Sequence, residues 1–205
     1  MAPASTATPP PNFPPSVTYL SHPAPSRLLP RSLQLAYCTP SPASSLPNPP
    51  PRVQIRTISD PAHPAHGQSG LFNASGKKLE RGTWIRDYVG LVHLEKEADP
   101  TSDYDLCLER VPASEGAEAE VVGIDATKTG NEARFVNDYR GIRGFQRPNA
   151  VFELRTWDLP GGKGRGVRMA VWAGPHGVEK GSEICVSYGR GFWDQRRKEA
   201  EVHEG

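Results

Sequence analysis

Apolar and polar residues alternate over several short stretches of this chain, as they do in β-strands that bury one face. The clearest alternation covers residues 53–58, where Val53, Ile55 and Thr57 interleave with polar neighbours. A longer apolar stretch with a glycine near each end, residues 82–92, indicates a further strand. The same reasoning predicts strands at residues 71–74, 104–109, 120–124, 151–157, 167–172 and 184–188.

Helix signals are sparse by comparison. Residues 131–136 predict a turn or two of helix, and the charged residues 193–202 predict another. The glycine cluster at 161–166 is neither G-x-G-x-x-G nor a P-loop, and no helix follows it, so it predicts a hairpin turn after Pro160. Many short strands at close spacing, few helices and no repeat predict a mainly β fold of several small twisted sheets.

Composition divides the chain near residue 52. Residues 1–52 contain 15 of the 22 prolines and no acidic residue. A segment of this kind offers little apolar surface to offset its ordering entropy, so we expect a disordered tail over residues 1–52. An organelle transit segment is the alternative interpretation, because the tail combines Arg27 and Arg31 with many serines. The expected organisation is this tail, one domain over 53–195 and a charged extension over 196–205.

Charge and special residue types exclude several classes of function. Residues 53–205 carry a net charge of −2, whereas duplex-binding domains usually present a clustered basic face, so no direct nucleic-acid binding is expected. No apolar run approaches the ~20 residues that cross a bilayer, so no membrane partner is expected. The three cysteines and six histidines show no zinc-ligand spacing. We therefore expect no metal site, no disulfide and a reducing compartment.

Five short segments, in a fixed order along the chain, carry the functional signal. Residues 124–137 read I-D-A-T-K-T-G-N-E-A-R-F-V-N, and Pro148-Asn149-Ala150 follows shortly after. About fifty residues beyond Asn137, residues 180–189 read K-G-S-E-I-C-V-S-Y-G. Earlier in the chain come Ser69-Gly70-Leu71-Phe72 and Tyr88-Val89-Gly90.

In this order and spacing the segments resemble those of SET-domain protein lysine methyltransferases. The family's patterns are G-x-G-L-F, Y-x-G, D-A-x-x-x-G-N-x-A-R-F-I-N-H-S-C, P-N-A and E-E-L-T-x-D-Y. The resemblance covers roughly residues 53–193 and implies a SET-domain fold. It also implies methyl transfer from S-adenosylmethionine to a lysine ε-amine of a protein or peptide, with a histone tail as the usual substrate. A histone substrate would place the protein in the nucleus, with the cytoplasm or an organelle as alternatives.

The resemblance also assigns roles to individual residues. Tyr188 matches the tyrosine beside the reacting amine, and Asn137 matches the asparagine that contacts the polar end of the donor. Arg134 matches either a structural arginine or a contact of the donor carboxylate, and an ordinary arginine on a helix surface is the alternative. The expected donor-binding residues are Ser69, Gly70, Leu71, Phe72, Tyr88, Arg134, Asn137, Asp138 and Trp193. The expected lysine channel consists of Tyr88, Tyr188 and Phe192, although Phe192 and Trp193 could instead clasp the C-terminal segment.

Elementary chemistry explains why methyl transfer needs such residues. The attacking lysine must be neutral, although its usual pKa is about 10.4. A dry channel with aromatic walls disfavours the ammonium form, accommodates the lysine stem and positions the nitrogen. A tyrosine hydroxyl at the end of that channel can orient the amine without carrying a full charge.

One departure from the family pattern leaves a second function open. Asp138-Tyr139-Arg140 stands where the family has H-S-C, and an insertion, residues 141–147, precedes Pro148. The first glycine of G-x-G is Gln68 here. A catalytically silent SET-like module that binds a peptide or protein partner is therefore the alternative to an enzyme. Retention of Asn137 and Tyr188 favours the enzyme.

Overall fold

The computed structural model describes residues 8–112 and 119–189, which form a mainly β structure. Within them lie one α-helix, α1 (Arg31–Cys38), and short 3-10 helices at Ala43–Ser45, Glu95–Glu97, Glu132–Phe135 and Pro160–Gly162. The strands are β1 (Thr18–Tyr19), β2 (Ala24–Pro25), β3 (Val53–Thr57), β4 (Ser69–Asn73), β5 (Trp84–Asp87), β6 (Leu91–Leu94), β7 (Asp105–Val111), β8 (Glu120–Asp125), β9 (Thr129–Gly130), β10 (Asn137–Asp138), β11 (Ala150–Asp158), β12 (Arg165–Ala173) and β13 (Cys185–Val186).

These strands form several small sheets, which confirms the predicted fold class. The largest sheet has the order β2-β6-β8-β7, and a three-stranded sheet has the order β11-β12-β5. The remaining pairs are β3 with β4, β1 with β9, and β10 with β13. The last two pairs are parallel and join segments distant in sequence.

The β11–β12 hairpin forms as its sequence predicts. Its connection contains the 3-10 turn Pro160–Gly162, and Gly161 has φ +73°, a conformation that suits glycine. Gly166 faces its cross-strand partner Trp157 so closely that an added Cβ would collide with the indole ring. The absence of a side chain at Gly166 therefore lets the tryptophan lie flat across the hairpin.

The stretch 82–92 forms two strands rather than one. Strand β5 joins the three-stranded sheet and β6 joins the four-stranded sheet, with Tyr88, Val89 and Gly90 between them. At Gly90 a Cβ would overlap the backbone of Asp125, so only glycine permits this approach. The chain changes sheets at this point, which alternation of residue types alone does not reveal.

The prediction of a disordered tail is wrong for residues 8–52. Strand β1 pairs with β9, β2 pairs with β6, and α1 packs against β12. Leu20, Leu29 and Tyr37 are buried, at 5%, 3% and 4% exposure. The physical reason is that a few well-placed apolar side chains suffice when the domain offers backbone partners, even in a proline-rich segment.

Two buried arginines and one half-buried arginine hold much of this N-terminal segment in place. Arg168, only 2% exposed, donates hydrogen bonds to the carbonyl oxygens of Tyr37 and Thr39, both at 2.5 Å. Arg155 bonds to Ser41 Oγ at 2.8 Å, and Arg86 to the carbonyl of Pro51 at 3.0 Å. The segment and the domain therefore form one structural unit in the described residues.

The core lies between the sheets and under α1. The β8 side chains Val122 and Ile124 are almost completely buried, as are Ile85, Val171 and Ile184 from neighbouring elements. No helix in residues 8–112 and 119–189 has the length and apolar character to cross a membrane. The predicted helix at 193–202 and the extension 196–205 lie outside the described residues.

Candidate active site

The two principal sequence segments lie side by side. Strand β10 pairs in parallel with β13, so that Asn137 is opposite Cys185 and Asp138 is opposite Val186. The backbone N–H of Tyr139 extends the pairing to the carbonyl of Val186 at 3.0 Å. This pairing brings Asn137 and Tyr188, fifty-one positions apart in the sequence, into one region.

Two cavities meet beside this strand pair. The larger has a volume of about 740 Å³ and the smaller about 410 Å³. Asp103, Tyr104, Arg134 and Tyr188 line both cavities and form the wall that they share. The larger cavity is also lined by His63, Pro64, Ala65, Gln68, Ser69, Phe135, Asn137, Asp138 and Arg140. The smaller is also lined by Tyr88, Ser102, Asp105, Leu106, Cys107, Val136, Phe152, Met169 and Ser187.

Asn137 stands in the larger cavity with its amide group oriented by two acceptors. Its Nδ2 donates to Glu183 Oε1 at 2.7 Å and to the carbonyl of Ser69 at 3.3 Å. Both amide hydrogens are then used, and Oδ1 is left as the atom that can accept a hydrogen bond from a ligand.

Gly70 makes room for the Glu183 carboxylate. A Cβ built on Gly70 would lie 2.5 Å from Glu183 Oε1, closer than any carbon can approach. Strand β4 places Gly70 beside Ser69, and the isolated bridge between Phe72 and Glu183 holds the two segments together. The lack of a side chain at Gly70 therefore allows the Glu183 carboxylate to lie against the backbone of β4.

Asp138 connects the two segments through its side chain. Its Oδ2 accepts hydrogen bonds from the backbone N–H of Tyr188 at 2.7 Å and from Arg140 Nη1 at 2.8 Å. Its Oδ1 accepts from the backbone N–H of Arg140 at 2.8 Å. The aspartate thus fixes the backbone at Tyr188.

The Tyr188 hydroxyl lies at the wall between the cavities. It donates to the carbonyl oxygen of Val136 at 2.8 Å. Burial raises the pKa of Tyr188 well above its usual value, and the nearby Asp138 carboxylate raises it further. The phenol is therefore neutral over the physiological pH range, and a neutral phenol can both donate and accept hydrogen bonds.

Aromatic and apolar side chains form one side of the smaller cavity. Tyr88 is 4% exposed, donates its hydroxyl hydrogen to the carbonyl of Tyr104 at 2.8 Å, and meets Phe152 edge to face with ring centroids 5.6 Å apart. Burial raises the pKa of Tyr88 well above its usual range. Met169 completes an apolar side, so this cavity suits an aliphatic chain.

Arg134 is built into the shared wall. Its Nε donates to the carbonyl of Ala126 at 2.9 Å, and its guanidinium lies 4.1 Å from the centre of the Tyr104 ring and 4.9 Å from that of Phe135. Arg134 is 9% exposed, so it is not a surface arginine, and these contacts favour a structural role over a contact with the donor carboxylate. The guanidinium also adds positive charge where the cavities meet.

The structure does not bring every predicted residue to the cavities. Leu71 is completely buried in the core and lines neither cavity. Phe72 lies under the guanidinium of Arg56, 4.9 Å from the ring centre, and lines neither cavity. Tyr88 lines only the smaller cavity, which fits the channel role rather than the donor role. Phe192 and Trp193 lie outside the described residues.

Several site residues had no functional prediction. Glu183 belongs to the second motif segment. Its place directly before an apolar strand was the only feature of the sequence that could have indicated a role for it. His63 lies in a loop rich in histidine, proline and glycine, which carries no periodicity. Tyr104 and Phe152 were predicted only as strand residues. Within residues 8–112 and 119–189, no group of three histidine, cysteine, aspartate or glutamate side chains is placed to hold a metal ion.

Comparison with known proteins gives structural neighbours only. No protein-family profile and no curated protein matches the chain. The structure is similar to KRYPTONITE in complex with mCHH DNA, an H3(1-15) peptide and SAH, with 16% identity and a TM-score of 0.47 over 68% of this chain and 24% of that one. It is also similar to polycomb repressive complex 2 of Chaetomium thermophilum, with 18% identity and a TM-score of 0.47 over 69% of this chain and 16% of that one. The chain thus spans about a quarter or less of these proteins.

Proposed function

We propose that this protein has a SET-domain fold and transfers the methyl group of S-adenosylmethionine to the ε-amine of a protein lysine. The observation that carries the proposal is the meeting at Tyr188 of two cavities, of which one contains Asn137 and the other has an aromatic side. The resemblance to lysine methyltransferases assigns Asn137 to the donor and Tyr188 to the reacting amine. The geometry supports this division, because Asn137 lines only the larger cavity and Tyr188 lines both.

The residues of the larger cavity suit the donor. Its volume of about 740 Å³ lies within the range of about 300–1,000 Å³ usual for small-molecule sites. Asn137 Oδ1 can accept a hydrogen bond from the donor ammonium group, and Ser69 and Asp138 lie close by. When bound, the donor would supply a methyl group attached to a positively charged sulfur.

The smaller cavity suits the lysine side chain. Tyr88, Phe152 and Met169 offer apolar surface to the aliphatic stem. Removal of water from the amine disfavours the ammonium form and so lowers the pKa of the lysine. The proton is lost to water before transfer, and the neutral nitrogen arrives with a free lone pair.

Tyr188 orients that nitrogen. Because its own hydrogen is donated to the carbonyl of Val136, the hydroxyl oxygen can accept an N–H of the amine. The amine lone pair then points toward the larger cavity. A nitrogen–carbon bond forms as the sulfur–carbon bond breaks, and the positive charge passes from sulfur to nitrogen. Alignment of the reacting atoms supplies most of the acceleration, worth about 7–11 kcal/mol in favourable cases.

A lysine-bearing basic tail, such as that of a histone, is the proposed substrate. The resemblance carries this choice, and the net charge of −2 over residues 53–205 is compatible with it. A histone substrate further implies action in the nucleus.

A module that binds a peptide without methyl transfer is the second candidate. Asp138-Tyr139-Arg140, where the family has H-S-C, favours it. Against it, the Asp138 carboxylate still fixes the backbone of Tyr188 at 2.7 Å. The two candidates differ in whether a bound donor gives up its methyl group.

The test is methyl transfer from labelled S-adenosylmethionine to a pool of basic proteins, with calorimetric donor binding measured in parallel. The wild type should bind the donor and label lysine. Tyr139→Phe is the matched control for Tyr188→Phe, because Tyr139 adjoins the motif but lines neither cavity. Donor binding without transfer to any protein would favour the silent module, and absence of donor binding would overturn the proposal.

A further inference from the structure

Three side chains form a buried chain beside the larger cavity. His63 Nε2 and Glu183 Oε2 are 3.0 Å apart, and Glu183 Oε1 is 2.7 Å from Asn137 Nδ2. The side chains of His63 and Glu183 are only 7% and 6% exposed. His63 comes from the loop before β4, Glu183 precedes β13, and Asn137 begins β10, so the chain joins three separate segments.

The partners of each atom determine where the hydrogens lie. The backbone N–H of Ala65 donates to His63 Nδ1 at 3.0 Å, so Nδ1 carries a lone pair and Nε2 carries the hydrogen. Nε2 therefore donates to Glu183, and Asn137 Nδ2 donates to the other carboxylate oxygen. Glu183 thus accepts at both oxygens, an arrangement that suits an acceptor-only carboxylate.

The charge of Glu183 is not balanced by a lysine or arginine among the described residues. Within them, neither residue type forms an ion pair with it, while Arg140 is committed to Asp138 at 2.8 Å. A buried charge is costly unless it is paired or well hydrogen-bonded. A ligand that brings positive charge into the larger cavity would offset part of that cost.

We propose that His63 and Glu183 are positioning residues that make the larger cavity selective for a ligand bearing an ammonium group. Glu183 binds the amide nitrogen of Asn137 and so turns Oδ1 toward the ligand, and His63 holds Glu183 in that rotamer. The buried negative charge adds attraction for the ammonium. This inference rests on the proposed function, since the ligand is the amino-acid end of S-adenosylmethionine.

A purely structural role for these side chains predicts something different. The main chain of Glu183 already holds the strands together, through its bridge to Phe72 and through its carbonyl, which accepts from Asn149 Nδ2 at 2.7 Å. Those contacts do not need the carboxylate. Loss of the side-chain network should therefore leave the cavity in place and change only its preference among ligands.

Two ligands separate these roles. S-adenosylmethionine carries the ammonium group, whereas 5′-methylthioadenosine has the same adenosine and a thioether but lacks the whole amino-acid end. Calorimetry should find that His63→Leu and Glu183→Gln each reduce the affinity for S-adenosylmethionine at least about 10-fold. The affinity of both variants for 5′-methylthioadenosine should equal that of the wild type. His63→Gln keeps an N–H donor and should restore most of the affinity. His66→Leu, an exposed histidine of the same loop, should behave as wild type.

Three results would overturn the inference. Equal weakening of both ligands would mean that His63 and Glu183 only support the pocket. Unchanged affinity for S-adenosylmethionine would mean that Asn137 needs no positioning. A wild type that binds neither ligand would overturn the proposed function together with the inference, whereas the first two results leave the proposed function intact.

A ligand-free readout protects the test against variants that fold poorly. The side-chain amide signals of Asn137 can be assigned in the NMR spectrum by their loss in Asn137→Ala. They should shift in His63→Leu and in His63→Gln to different extents, and stay in place in His66→Leu. Amide signals that ignore both His63 substitutions would show that the three side chains are not coupled.

Discussion

The larger and smaller cavities share the wall of Asp103, Tyr104, Arg134 and Tyr188, but their other sides are made of different residues. The larger cavity presents amide, carboxylate, guanidinium and imidazole groups whose hydrogen bonds are fixed by neighbours, as at Asn137. The smaller presents aromatic and aliphatic side chains such as Phe152, beside the polar side chains of Ser102, Asp105 and Ser187.

This contrast matches two different physical tasks. A polar, preorganised cavity can orient a charged small molecule, since its groups need no rearrangement when the ligand arrives. An apolar cavity can strip water from an amine and leave it neutral. Substitutions in the larger cavity should therefore alter donor binding, and substitutions in the smaller cavity should alter binding of the lysine. Substitutions in the shared wall should alter the rate of methyl transfer.

The largest effect is expected from removal of the N-terminal segment, which supports both cavities. Phe13 packs edge to face on Phe135 of the larger cavity, with ring centroids 5.8 Å apart, and α1 covers β12 beside the smaller one. A chain that begins at residue 52 should melt about 10 °C or more below the full chain, because it exposes buried apolar surface. Calorimetric melting measures this directly.

Neighbouring leucines provide a matched control for that truncation. Leu29 is 3% exposed and Leu28 is 60% exposed. Leu29→Ala should reduce the free energy of unfolding by about 2–4 kcal/mol, whereas Leu28→Ala should change it by less than about 0.5 kcal/mol. Equal melting of the truncated and full chains would show that the segment does not contribute to the folded domain.

Tyr188 lies in the wall that the two cavities share. Tyr188→Phe should slow methyl transfer by about 10²-fold, which corresponds to about 2.7 kcal/mol of activation free energy, and should leave donor binding unchanged. The aromatic ring stays, while the contact to the amine and the hydrogen bond to Val136 are lost. Single-turnover rates at saturating donor measure the effect. Rates equal to those of wild type would mean that Tyr188 is only a wall.

In the larger cavity, Asn137→Ala should weaken the binding of S-adenosylmethionine by roughly 1–3 kcal/mol, the usual cost of losing a hydrogen bond to a charged group. The affinity for a substrate peptide should not change, because Asn137 does not line the smaller cavity. Calorimetry with each ligand separately checks both statements. An unchanged donor affinity in a folded variant would remove Asn137 from the donor site.

The smaller cavity has a pH-dependent support in His93 and Asp105. His93 Nε2 lies 3.0 Å from Asp105 Oδ1, and Nδ1 lies 3.0 Å from the carbonyl of Leu94. The bond to Asp105 raises the pKa of His93 from 6.5 to about 9, against the opposing effect of burial. Because the folded-state pKa is the higher one, this stabilisation is complete below about pH 6.5 and is lost as the pH rises through about 9.

The expected loss of unfolding free energy between these pH values is about 1–2 kcal/mol, allowing for screening of the partly exposed Asp105. Urea unfolding at pH 6.5 and pH 9 measures it, and His93→Gln should remove most of the difference. A pH dependence that is the same with and without His93 would assign it to other groups.

The smallest effect is expected for Phe152→Leu, which keeps apolar area but loses the edge-to-face contact with Tyr88. The KM for the lysine-bearing substrate should rise a few-fold, corresponding to about 0.5–1.5 kcal/mol, while donor affinity stays constant. Leu154→Ala, at an exposed position of the same strand, is the control. A loss of donor affinity in Phe152→Leu would contradict the division between the cavities.

The sequence predicted those regions whose structure depends on local patterns, and it did not predict those that depend on contacts between distant segments. Strands such as those at residues 53–58 and 151–157 were predicted because the order of apolar and polar residues within each stretch indicates a strand. The β10–β13 pairing of Asn137 with Cys185 could be anticipated only through the family resemblance, since no local pattern encodes a parallel pairing across forty-eight positions.

Other features depend on contacts that leave no local trace. The segment before residue 52 is held by the guanidinium of Arg168 and by isolated buried residues such as Tyr37, so its composition alone suggested disorder. The role of His63 depends on Glu183, which is 120 positions away. Neither the histidine nor the glutamate is informative alone, and only the fold brings them together.

The central claim, that one cavity holds the donor and the other the lysine, can be tested through a single methyl group. The chain has two methionines, Met1 and Met169, and Met169 lines the smaller cavity. With methyl-labelled methionine, the Met169 NMR signal should move strongly when a lysine-bearing basic peptide binds and only slightly with S-adenosylhomocysteine. Signals of Asn137 should respond in the opposite sense. A Met169 signal that moves with S-adenosylhomocysteine and ignores every peptide would contradict the account.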